Sequence, residues 1–578
     1  MSASVSSAAV PPLAQTDTFV FWSTNEGPGW MYLLPPLGGL RLLCVDIAGA
    51  VAWALARECR QLTLLSAGSV WPAPDRRAGR PAAALPVVQI DELLAQAQAP
   101  GFERFDGLVI HDPLGERLHQ EGLAPLQRLL LAADKLLQQK GWVYLGANNP
   151  YSLQRWRERM RGTPSTGRAP LRLSKLKSLL RNAGAAEIRV HPYLMANGRV
   201  AEVVPAEGYC AMKNREARGE RLKEWLFGRR GAPRLAPAVG LLALRDAATP
   251  SMLDALARRV GALRQAAATP AGSEPPVVKQ YLVFAGHKAI VAAGPRGRSD
   301  QDVIAVLTAD AVSTRGRNLE APHLQALTRI ASVSTLVPRL IDRFDFDHTS
   351  CVVMERIPGV TLDQDLPPLE RVTDAALDFL IRLHLETAVP TAMDEPGFDR
   401  LAAPLLQAAT ERNPDFAAAI ATWGTPLRKR LRSLTLPAVF QHGDFKVENV
   451  IYEPGTCRLL SVIDWEHARR PGLPLLDLMY LLVYNRVIRG ANWIEAIERP
   501  IVREEWTASE QRRLERYLTA LGLGADALPA LRALFLAHHV GCRIHLPADP
   551  ALRAKIAEML NELGRIIGQP VDSLAPHQ

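Results

Sequence analysis

Three polar residues that could together carry out phosphoryl transfer occur close to one another in the chain. Asp444 follows an apolar run, Asn449 comes five residues later, and Asp464 ends a second apolar run fifteen residues beyond Asn449. A carboxylate can orient an acceptor hydroxyl and take its proton, while an amide oxygen and another carboxylate can hold magnesium against the phosphates of a nucleotide. The residue types and their spacing therefore predict a phosphoryl-transfer site.

The same stretch resembles a known family. It reads H-G-D-F-K-x-x-N at 442–449 and I-D-W-E at 463–466, which is similar to the aminoglycoside phosphotransferase and choline kinase family. The spacing from Asp to Asn is also that of the catalytic loop of protein kinases. The resemblance implies a two-lobed, protein-kinase-like α+β fold, with Mg²⁺ and ATP or GTP as ligands. The acceptor it implies is a hydroxyl of a small polar molecule, such as a sugar, an aminoglycoside, a choline-like alcohol or the end of a glycan.

Each motif residue receives a role from this interpretation. Asp444 is the expected catalytic base, or the group that orients the acceptor hydroxyl, and Asn449 and Asp464 are the expected magnesium ligands. Lys446, two residues after Asp444, could neutralise the transferring phosphate, and an exposed loop lysine is the alternative. An isolated Asp or Asn would more simply be a turn or cap residue, but the joint spacing favours a functional site.

Two further residues are expected to brace the loop rather than to react. His442 precedes Gly443 and Asp444, and we interpret it as a hydrogen-bonding support. Asp477 matches a position that braces the catalytic loop in the family that the stretch resembles. Both are therefore predicted to be structural.

The segment before the catalytic stretch has the pattern of a small kinase lobe. A hairpin at 277–292, a third strand at 302–307, a helix at 320–329 and a strand at 351–355 follow one another. The resemblance implies that the nucleotide base contacts the backbone of the hinge where this last strand ends, near Met354, Glu355 and Ile357. Gly286, in the hairpin turn, is a candidate for close approach to a phosphate.

One expected residue of the small lobe is missing from its place. Kinases carry a lysine on the third strand, paired with a glutamate on the following helix, to grip the phosphates. The position we align with that lysine is Ala305, whereas Glu320 is present where the glutamate belongs and is a nucleotide-site candidate. The cations that could substitute for the lysine are Lys279, Lys288, Arg315 and Arg317.

The N-terminal half alternates strands and helices from residue 40 onward. Apolar runs at 42–46, 62–65 and 105–112 predict buried strands, and 123–139 predicts a long amphipathic helix before a strand at 141–146. Alternation of this kind is typical of a Rossmann-like, doubly wound parallel sheet. The chain is therefore predicted to be an α/β multidomain protein.

Four segments of this half resemble class I S-adenosylmethionine-dependent methyltransferases. They are Phe105–Asp112, Leu136–Leu145, Leu176–Gly184 and Ala186–Val190. The candidate S-adenosylmethionine site consists of Asp46, Gly49, Ser66 and Asp112. The first strand-to-helix turn has one glycine, and the second strand ends in Ser66 where an acidic residue should bind the ribose. We therefore expect a degenerate methyltransferase-like domain whose cofactor binding is lost or altered.

Composition sets the remaining expectations. The 578 residues have a net charge of +9 that is spread along the chain, which favours anionic ligands such as nucleotides and gives no reason to expect nucleic acid as a partner. The six cysteines are scattered without a C-x-x-C pair, and no signal peptide or membrane-spanning apolar run is evident, so we expect a cytoplasmic protein. The sequence leaves the oligomeric state open.

The predicted domains follow from these patterns. They are an N-terminal arm at 1–38, a methyltransferase-like domain at 39–225, connecting helices and a linker at 226–275, a small lobe at 276–360 and a large lobe at 361–578. Two alternatives to a simple phosphotransferase stay open. One is a bifunctional methyltransferase-kinase, similar in layout to enzymes of bacterial surface glycan synthesis. The other is a non-catalytic scaffold, which Ala305 at the lysine position would favour.

Overall fold

The computed structural model describes most of the chain. The described residues are 28–46, 55–56, 58–66, 87–112, 124–149, 172–196, 199–204, 236–266, 276–283, 288–295, 301–308, 320–346, 349–362, 368–542 and 550–568. The strands are β1 Arg41–Asp46, β2 Gln61–Ser66, β3 Val87–Gln89, β4 Phe105–Asp112, β5 Leu137–Asn148, β6 Glu187–Ala196, β7 Arg199–Val203, β8 Ala238–Leu244, β9 Val277–Val283, β10 Lys288–Gly294, β11 Val303–Thr308, β12 Leu340–Phe346, β13 Thr349–Glu355, β14 Val360–Thr361, β15 Val389–Ala392, β16 Thr435–Gln441, β17 Val450–Tyr452, β18 Leu459–Val462 and β19 Arg469–Gly472.

The described helices are concentrated in the C-terminal half. The α-helices are α1 Ile90–Gln96, α2 Ala124–Leu131, α3 Ala133–Leu136, α4 Leu173–Asn182, α5 Met252–Ala266, α6 at 320–327, α7 Leu369–Thr387, α8 Glu395–Leu401, α9 Ala403–Arg412, α10 Ala417–Ala421, α11 Gly424–Leu431, α12 Leu476–Ile488, α13 Trp493–Ile497, α14 Ala508–Leu521, α15 Leu528–Cys542 and α16 Pro550–Gly568. Short 3₁₀ turns are at Pro28–Leu33, Ser334–Leu336, Pro414–Phe416, Val447–Asn449, Trp465–His467 and Ala525–Ala527, and a π turn is at Glu498–Val502.

The N-terminal half is built on a parallel sheet. Its strands lie in the order β5-β4-β1-β2-β3, and each neighbouring pair is parallel. This is the strand order of a doubly wound sheet, so the predicted Rossmann-like arrangement and the mixed α/β class are confirmed. The strands are nearly continuous apolar runs because a parallel sheet is buried on both faces.

Three antiparallel strands continue this sheet toward the C-terminal half. β8 pairs with both β5 and β6, and β6 pairs with β7. β8 comes from the segment predicted to hold connecting helices, and it lies inside the sheet instead. β7 then pairs with β9, the first strand of the small lobe, through Glu202 opposite Leu282 and Val203 opposite Tyr281. The Glu202 carboxylate also accepts a hydrogen bond from the Gln280 amide at 2.9 Å. Within the described residues, the two halves therefore share one thirteen-stranded sheet.

The small-lobe part of the sheet has the order β12-β13-β11-β10-β9, and every pairing in it is antiparallel. One face packs on α6 and the large lobe, with Val306 and Val352 in that core. The other face packs with Ala305 and Val353 in the core of the N-terminal half. The strands therefore sit between two hydrophobic cores, and burial on both faces explains their apolar sequence.

The segment at 28–34, which lies within the predicted N-terminal arm at 1–38, packs against the N-terminal core. Trp30 is fully buried, and its ring stacks on His111 at 4.2 Å and on Tyr144 at 4.5 Å between ring centroids. At the start of the adjacent helix α5, the Ser251 hydroxyl accepts the Asp254 N–H at 3.1 Å. The two elements contribute to the same core as β9 and β10.

The prediction of one long helix at 123–139 is wrong at its C-terminal end. The described helices α2 and α3 end at Leu136, and β5 begins at Leu137. Pairing of β5 with β4 on one side and β8 on the other outweighs the amphipathic helical pattern there. The sequence also gave no signal for β12, which pairs along β13 at the edge of the sheet.

Among the described residues, no single helix is both long and apolar enough to cross a membrane. One pair of helices, Ala508–Leu521 with Ala525–Val540, meets the length and composition criteria jointly, but it is bent by 113°.

Candidate active site

The predicted base and one predicted magnesium ligand lie in the same buried loop between β16 and β17. Asp444 is 3% exposed, and the Asn449 amide turns back onto it. Nδ2 donates to the main-chain oxygen of Asp444 at 2.8 Å and to Oδ2 at 3.3 Å. A carboxamide has one oxygen and one nitrogen, so these donated bonds fix the orientation of the Asn449 side chain. Its oxygen is thereby left as the end that can take a cation.

His442 connects this loop to the segment that carries Asp464. Its Nε2 lies 3.0 Å from the Ile463 carbonyl oxygen, and because that oxygen only accepts, Nε2 donates. Nδ1 then accepts the Asp444 N–H at 3.2 Å, so the ring is a neutral imidazole. Burial lowers the pKa of His442 below its ordinary value, more than the neighbouring carboxylates raise it. The neutral ring thus connects the loop at 442–449 to the segment at 463–466.

Asp477 holds the same loop from the other side. Its two carboxylate oxygens accept the backbone N–H groups of His442 at 2.6 Å and Gly443 at 2.8 Å. His384 Nε2 lies 3.7 Å from the carboxylate. Burial alone would raise the pKa of Asp477, but the His384 ring and the His442 backbone together lower it. Asp477 is therefore a buried carboxylate, and His384 is a support that sequence reasoning missed because it lies on the distant helix α7.

Gly443 is required at its position for steric reasons. Its φ is +80°, and a Cβ placed there would lie 2.3 Å from the main-chain oxygen of His467. A side chain would therefore push apart the catalytic loop and the turn that follows Asp464.

Asp464 projects from a strained turn at the end of β18. Its φ is +70°, in the left-handed region that few residues other than glycine adopt. The next residue, Trp465, anchors this turn. Its indole nitrogen donates to the Val462 carbonyl at 2.9 Å, and its ring packs 4.4 Å from the His442 ring. The turn keeps the Asp464 side chain partly exposed while the following residue is buried.

Helix α6 grips Trp465 by both of its backbone polar groups. Glu320 accepts the Trp465 N–H at 3.2 Å, and the His323 ring Nδ1 donates to the Trp465 carbonyl at 3.2 Å. The two side chains are three residues apart and so lie on one face of the helix. Glu320 thus contacts the turn at 464–466, whereas the family pattern would pair it with a lysine of the third strand. His323 was not identified from the sequence, since a lone histidine on a helix carries no signal.

Among the candidate cations that the structure describes, Lys288 is the one that contacts the turn at 464–466. Its Nζ lies 3.3 Å from Asp464 Oδ1 and 3.0 Å from Glu466 Oε1, and the side chain is 16% exposed. Lys279 is elsewhere, since it pairs with buried Asp302, which Arg356 also contacts at 2.9 Å. Arg315 and Arg317, the other candidates, lie outside the described residues.

The alignment of Ala305 with the kinase lysine is not supported by the orientation of β11. Side chains alternate between the two faces of a strand. Val306 belongs to the core shared with the large lobe, whereas Ala305 belongs to the core of the N-terminal half. A lysine at 305 would point away from Asp464. The residue of β11 that faces Lys288 across the sheet is Thr308.

Lys446 lies beside the predicted base. Its Nζ is 3.7 Å from Asp444 Oδ2 and 3.5 Å from Glu448 Oε2, and it stands 5.1 Å above the centre of the Tyr484 ring. The Tyr484 hydroxyl donates to Glu448 at 2.6 Å. The ammonium is therefore held next to the position that a reacting hydroxyl would occupy.

The predicted nucleotide-base segment comprises the end of β13 and the residues that follow it. Met354 packs into the core shared with the large lobe. The Glu355 N–H donates to the Arg339 carbonyl at 3.1 Å, and its carboxylate accepts the Arg339 N–H at 3.3 Å, so the backbone donor of Glu355 is already engaged. Ile357 lies beyond the hydrogen bonds between Glu355 and Arg339. The following strand, β14, pairs with β17, which forms a hairpin with β18, so the segment lies beside that hairpin. Gly286 lies outside the described residues.

The donor set fits magnesium bound together with a nucleotide. Among the described residues, no three His, Cys, Asp or Glu side chains are grouped as a metal site. Mg²⁺ is usually held by one or two protein oxygens together with phosphate oxygens and water. The oriented amide oxygen of Asn449 and the partly exposed carboxylate of Asp464 are donors of that kind.

The N-terminal candidate residues share one edge of the parallel sheet. Asp46, Ser66 and Asp112 are the last residues of the adjacent strands β1, β2 and β4, at the carboxyl edge where doubly wound folds bind ligands. Gly49 lies outside the described residues. Beside Asp112, the His111 ring is buried in the stack with Trp30, and burial lowers its pKa to about 3.

Comparison with known proteins identifies one family in the chain. Residues 315–508 match the family model described as the phosphotransferase enzyme family, so the C-terminal half contains a domain of that family. Acyl-CoA dehydrogenase family member 11 of Mus musculus is 37% identical over 65 residues, a match that spans 11% of this chain and only 8% of that relative.

Two solved structures match parts of the chain. An aminoglycoside phosphotransferase from Streptomyces rimosus is 18% identical, with a TM-score of 0.32 over 50% of this chain and 98% of that chain. A SAM-dependent methyltransferase from Archaeoglobus fulgidus, similar to the N-terminal region, is 13% identical, with a TM-score of 0.24 over 36% of this chain and 87% of that chain.

Proposed function

We propose that this phosphotransferase-family domain moves the γ-phosphoryl group of ATP or GTP to a hydroxyl of a small polar acceptor. The observation that carries the proposal is the buried loop in which Asn449 hydrogen-bonds Asp444, joined by His442 to the segment that ends in Asp464. A packing explanation would not need two carboxylates and an amide held together by a neutral imidazole.

In this mechanism the Asp444 carboxylate orients the acceptor hydroxyl and takes its proton as the new oxygen–phosphorus bond forms, while the bond from the γ-phosphorus to the leaving nucleoside diphosphate breaks. Lys446, 3.7 Å from that carboxylate, holds positive charge beside the transferring group. His442 and Asp477 fix the loop before substrate arrives, so little reorganisation accompanies the reaction. Positioning is the main contribution that a protein makes to phosphoryl transfer.

Asn449 and Asp464 would hold the magnesium ion of the bound nucleotide. When present, the ion supplies neutralisation of phosphate charge. The role of this chain's own residues is to present an amide oxygen and a carboxylate in fixed directions, which the hydrogen bonds of Asn449 and the turn at Asp464 accomplish.

The test is Asp444→Asn in the whole chain, compared with Asp526→Asn, an exposed aspartate on a distant 3₁₀ turn. Phosphoryl transfer from radiolabelled ATP or GTP would be measured against a panel of sugars, aminoglycosides and choline. We expect Asp444→Asn to lower the rate at least ~100-fold, because a positioned general base contributes about 10²–10⁴-fold. Nucleotide affinity, measured by calorimetry, should change little. Transfer at the wild-type rate in Asp444→Asn contradicts the proposal, as does failure of the wild type to bind either nucleotide with magnesium; the latter result favours a scaffold.

A second candidate function concerns the N-terminal half, which would make the protein a bifunctional methyltransferase-kinase. The observation in its favour is that Asp46, Ser66 and Asp112 end adjacent strands at one edge of the sheet. A thermal-shift measurement of the whole chain with S-adenosylmethionine tests it, because a ligand that binds only the native state raises the melting temperature. An unchanged melting temperature at millimolar ligand would leave the phosphotransferase as the sole activity proposed.

A further inference from the structure

We propose that Lys288, on β10, is the phosphate-contacting cation of the nucleotide site, in place of the lysine that kinases carry on the third strand. This inference rests on the proposed phosphotransferase function. Lys288 is the first residue of β10, and its ammonium reaches across to the large lobe, where it lies 3.3 Å from Asp464 and 3.0 Å from Glu466.

The sheet explains why the cation comes from β10. Ile290 and Ile304 pack against the core shared with the large lobe, and alternation along the strands places Lys288 and Thr308 on that same face. The two residues are directly opposite each other in the β10–β11 pairing. Opposed residues of neighbouring antiparallel strands have Cβ atoms about 4.5–5.5 Å apart. A lysine at 288 can therefore reach the region that a lysine at 308 would reach.

Another described lysine of the hairpin is committed to a different task. Lys279 pairs with Asp302, whose carboxylate is 1% exposed and also accepts from Arg356 at 2.9 Å. Taking Lys279 out of this group would leave a buried carboxylate with one cation fewer, which is costly. Lys288, by contrast, faces a carboxylate that is itself a candidate magnesium ligand.

The helix residue that normally holds the lysine is also used differently. The Glu320 carboxylate accepts the Trp465 N–H and so supports the turn at Asp464. Glu466 lies on that same turn and contacts Lys288 directly. Glu466 of this turn therefore orients the phosphate-contacting lysine, and Glu320 supports the same turn through the Trp465 N–H.

The position of Lys288 suits contact with a phosphate. Its ammonium lies 3.3 Å from Asp464, the carboxylate that, with Asn449, would hold the magnesium ion of a bound nucleotide. The phosphates of that nucleotide would be bound at the same end of the site, where the ammonium supplies positive charge. The four-carbon stem of lysine is flexible, so Nζ can move to contact the phosphate while it stays close to the Glu466 carboxylate.

The experiment compares Lys288→Met with Lys429→Met, an exposed lysine on α11. Calorimetry would measure the affinity of the whole chain for the triphosphate, ATP or GTP, in the presence of Mg²⁺, and for the matching nucleoside. We expect Lys288→Met to weaken triphosphate binding by about 10–100-fold, because a charge-assisted hydrogen bond contributes about 1.5–3 kcal/mol. Nucleoside affinity should not change, and Lys429→Met should behave as the wild type.

The outcomes separate this inference from the function on which it rests. If the wild type binds no magnesium triphosphate, the proposed function fails. If the wild type binds it and Lys288→Met binds it equally well, Lys288 is not the phosphate contact. An equal loss for triphosphate and nucleoside would show a merely structural role and would also overturn the inference.

A strand swap tests the position directly. The double variant Lys288→Thr/Thr308→Lys moves the ammonium to the opposite strand while it keeps the two residue types. We expect it to recover at least ~10-fold of the triphosphate affinity lost in Lys288→Thr, since the charge stays on the same face. A folded double variant with no recovery would contradict the claim that the two positions are equivalent.

Discussion

The two halves of the molecule place polar residues at strand ends in different surroundings. At the ends of β16 and β18, backbone groups are held by the side chains of His442, Asp477 and Glu320 through directed hydrogen bonds. At the end of β4, by contrast, His111 is enclosed in a stack with Trp30 and Tyr144, whose rings are nearly parallel. The first arrangement orients individual atoms, whereas the second fills space.

This difference indicates how the two halves contribute to function. A hydrogen-bond network specifies direction and therefore can hold a base and a metal ligand in the geometry that catalysis needs. Stacked aromatic rings bury a large apolar area and stabilise a core without orienting a reactive atom. The N-terminal core also packs against one face of β10, the strand that begins with Lys288. We therefore infer that this half supports the small lobe through the shared sheet.

The largest expected effect comes from Asp477→Asn, which weakens the hydrogen bonds between Asp477 and the backbone of His442 and Gly443. An amide cannot accept two backbone N–H groups with two negative oxygens, so we expect the free energy of unfolding to fall by about 3 kcal/mol. Phosphoryl transfer should fall at least ~10-fold because the loop at 442–444 loses its support. Urea denaturation and the transfer assay measure both effects. The exposed Asp399→Asn is the control, and a variant indistinguishable from it would remove Asp477 from the network.

Two glycine substitutions sharpen the same comparison by separating conformation from crowding. Gly443 and Gly455 both have a left-handed φ, +80° and +84°, but only Gly443 has an atom, the His467 oxygen, where a Cβ would go. Gly455→Ala should cost about 1–2 kcal/mol, the cost of a Cβ in that conformation. Gly443→Ala should cost a further ~1 kcal/mol from overlap and should impair transfer. Equal melting temperatures for the two variants would contradict the proposed close contact.

The smallest effect probes the stacked histidine of the N-terminal half through pH. Burial lowers the pKa of His111 to about 3, so the folded protein keeps this ring neutral while the unfolded chain takes up a proton below about 6.5. Stability from this group is complete above the unfolded value and is lost as the pH falls toward the folded value. Between pH 7.5 and 5.5 we expect a loss of about 1 kcal/mol through His111.

His111→Phe keeps an aromatic ring in the stack and removes the titration. The measurement is the free energy of unfolding at the two pH values, and the variant should show a smaller dependence than the wild type by the amount assigned to His111. The pKa of His442 is also lowered, so the variant should retain part of the acid sensitivity. An unchanged pH dependence would mean that His111 does not stay neutral in the folded state.

Much of the fold was predictable because local patterns and tertiary packing agree. The strands predicted at 42–46, 62–65 and 105–112 are β1, β2 and β4, and the predicted hairpin is β9 and β10. The prediction failed where pairing outweighed pattern, as at Leu137, where a helical periodicity runs into β5. It also failed for β12, whose polar edge position lacks the apolar signature of a buried strand.

The sequence by itself determined the chemistry of the candidate site. Asp444, Asn449 and Asp464 lie within a stretch of twenty-one residues. Their types, order and spacing could therefore be read from the sequence without knowledge of the fold. Only the tertiary structure decided that Lys288 faces Asp464. Lys288 precedes Asp464 by 176 residues, and its place depends on strand pairing and on the face that each strand presents. Residues that are close in sequence can be recognised from their spacing alone. Which distant strands pair, and which face each strand presents, depends on burial and backbone pairing in the whole fold.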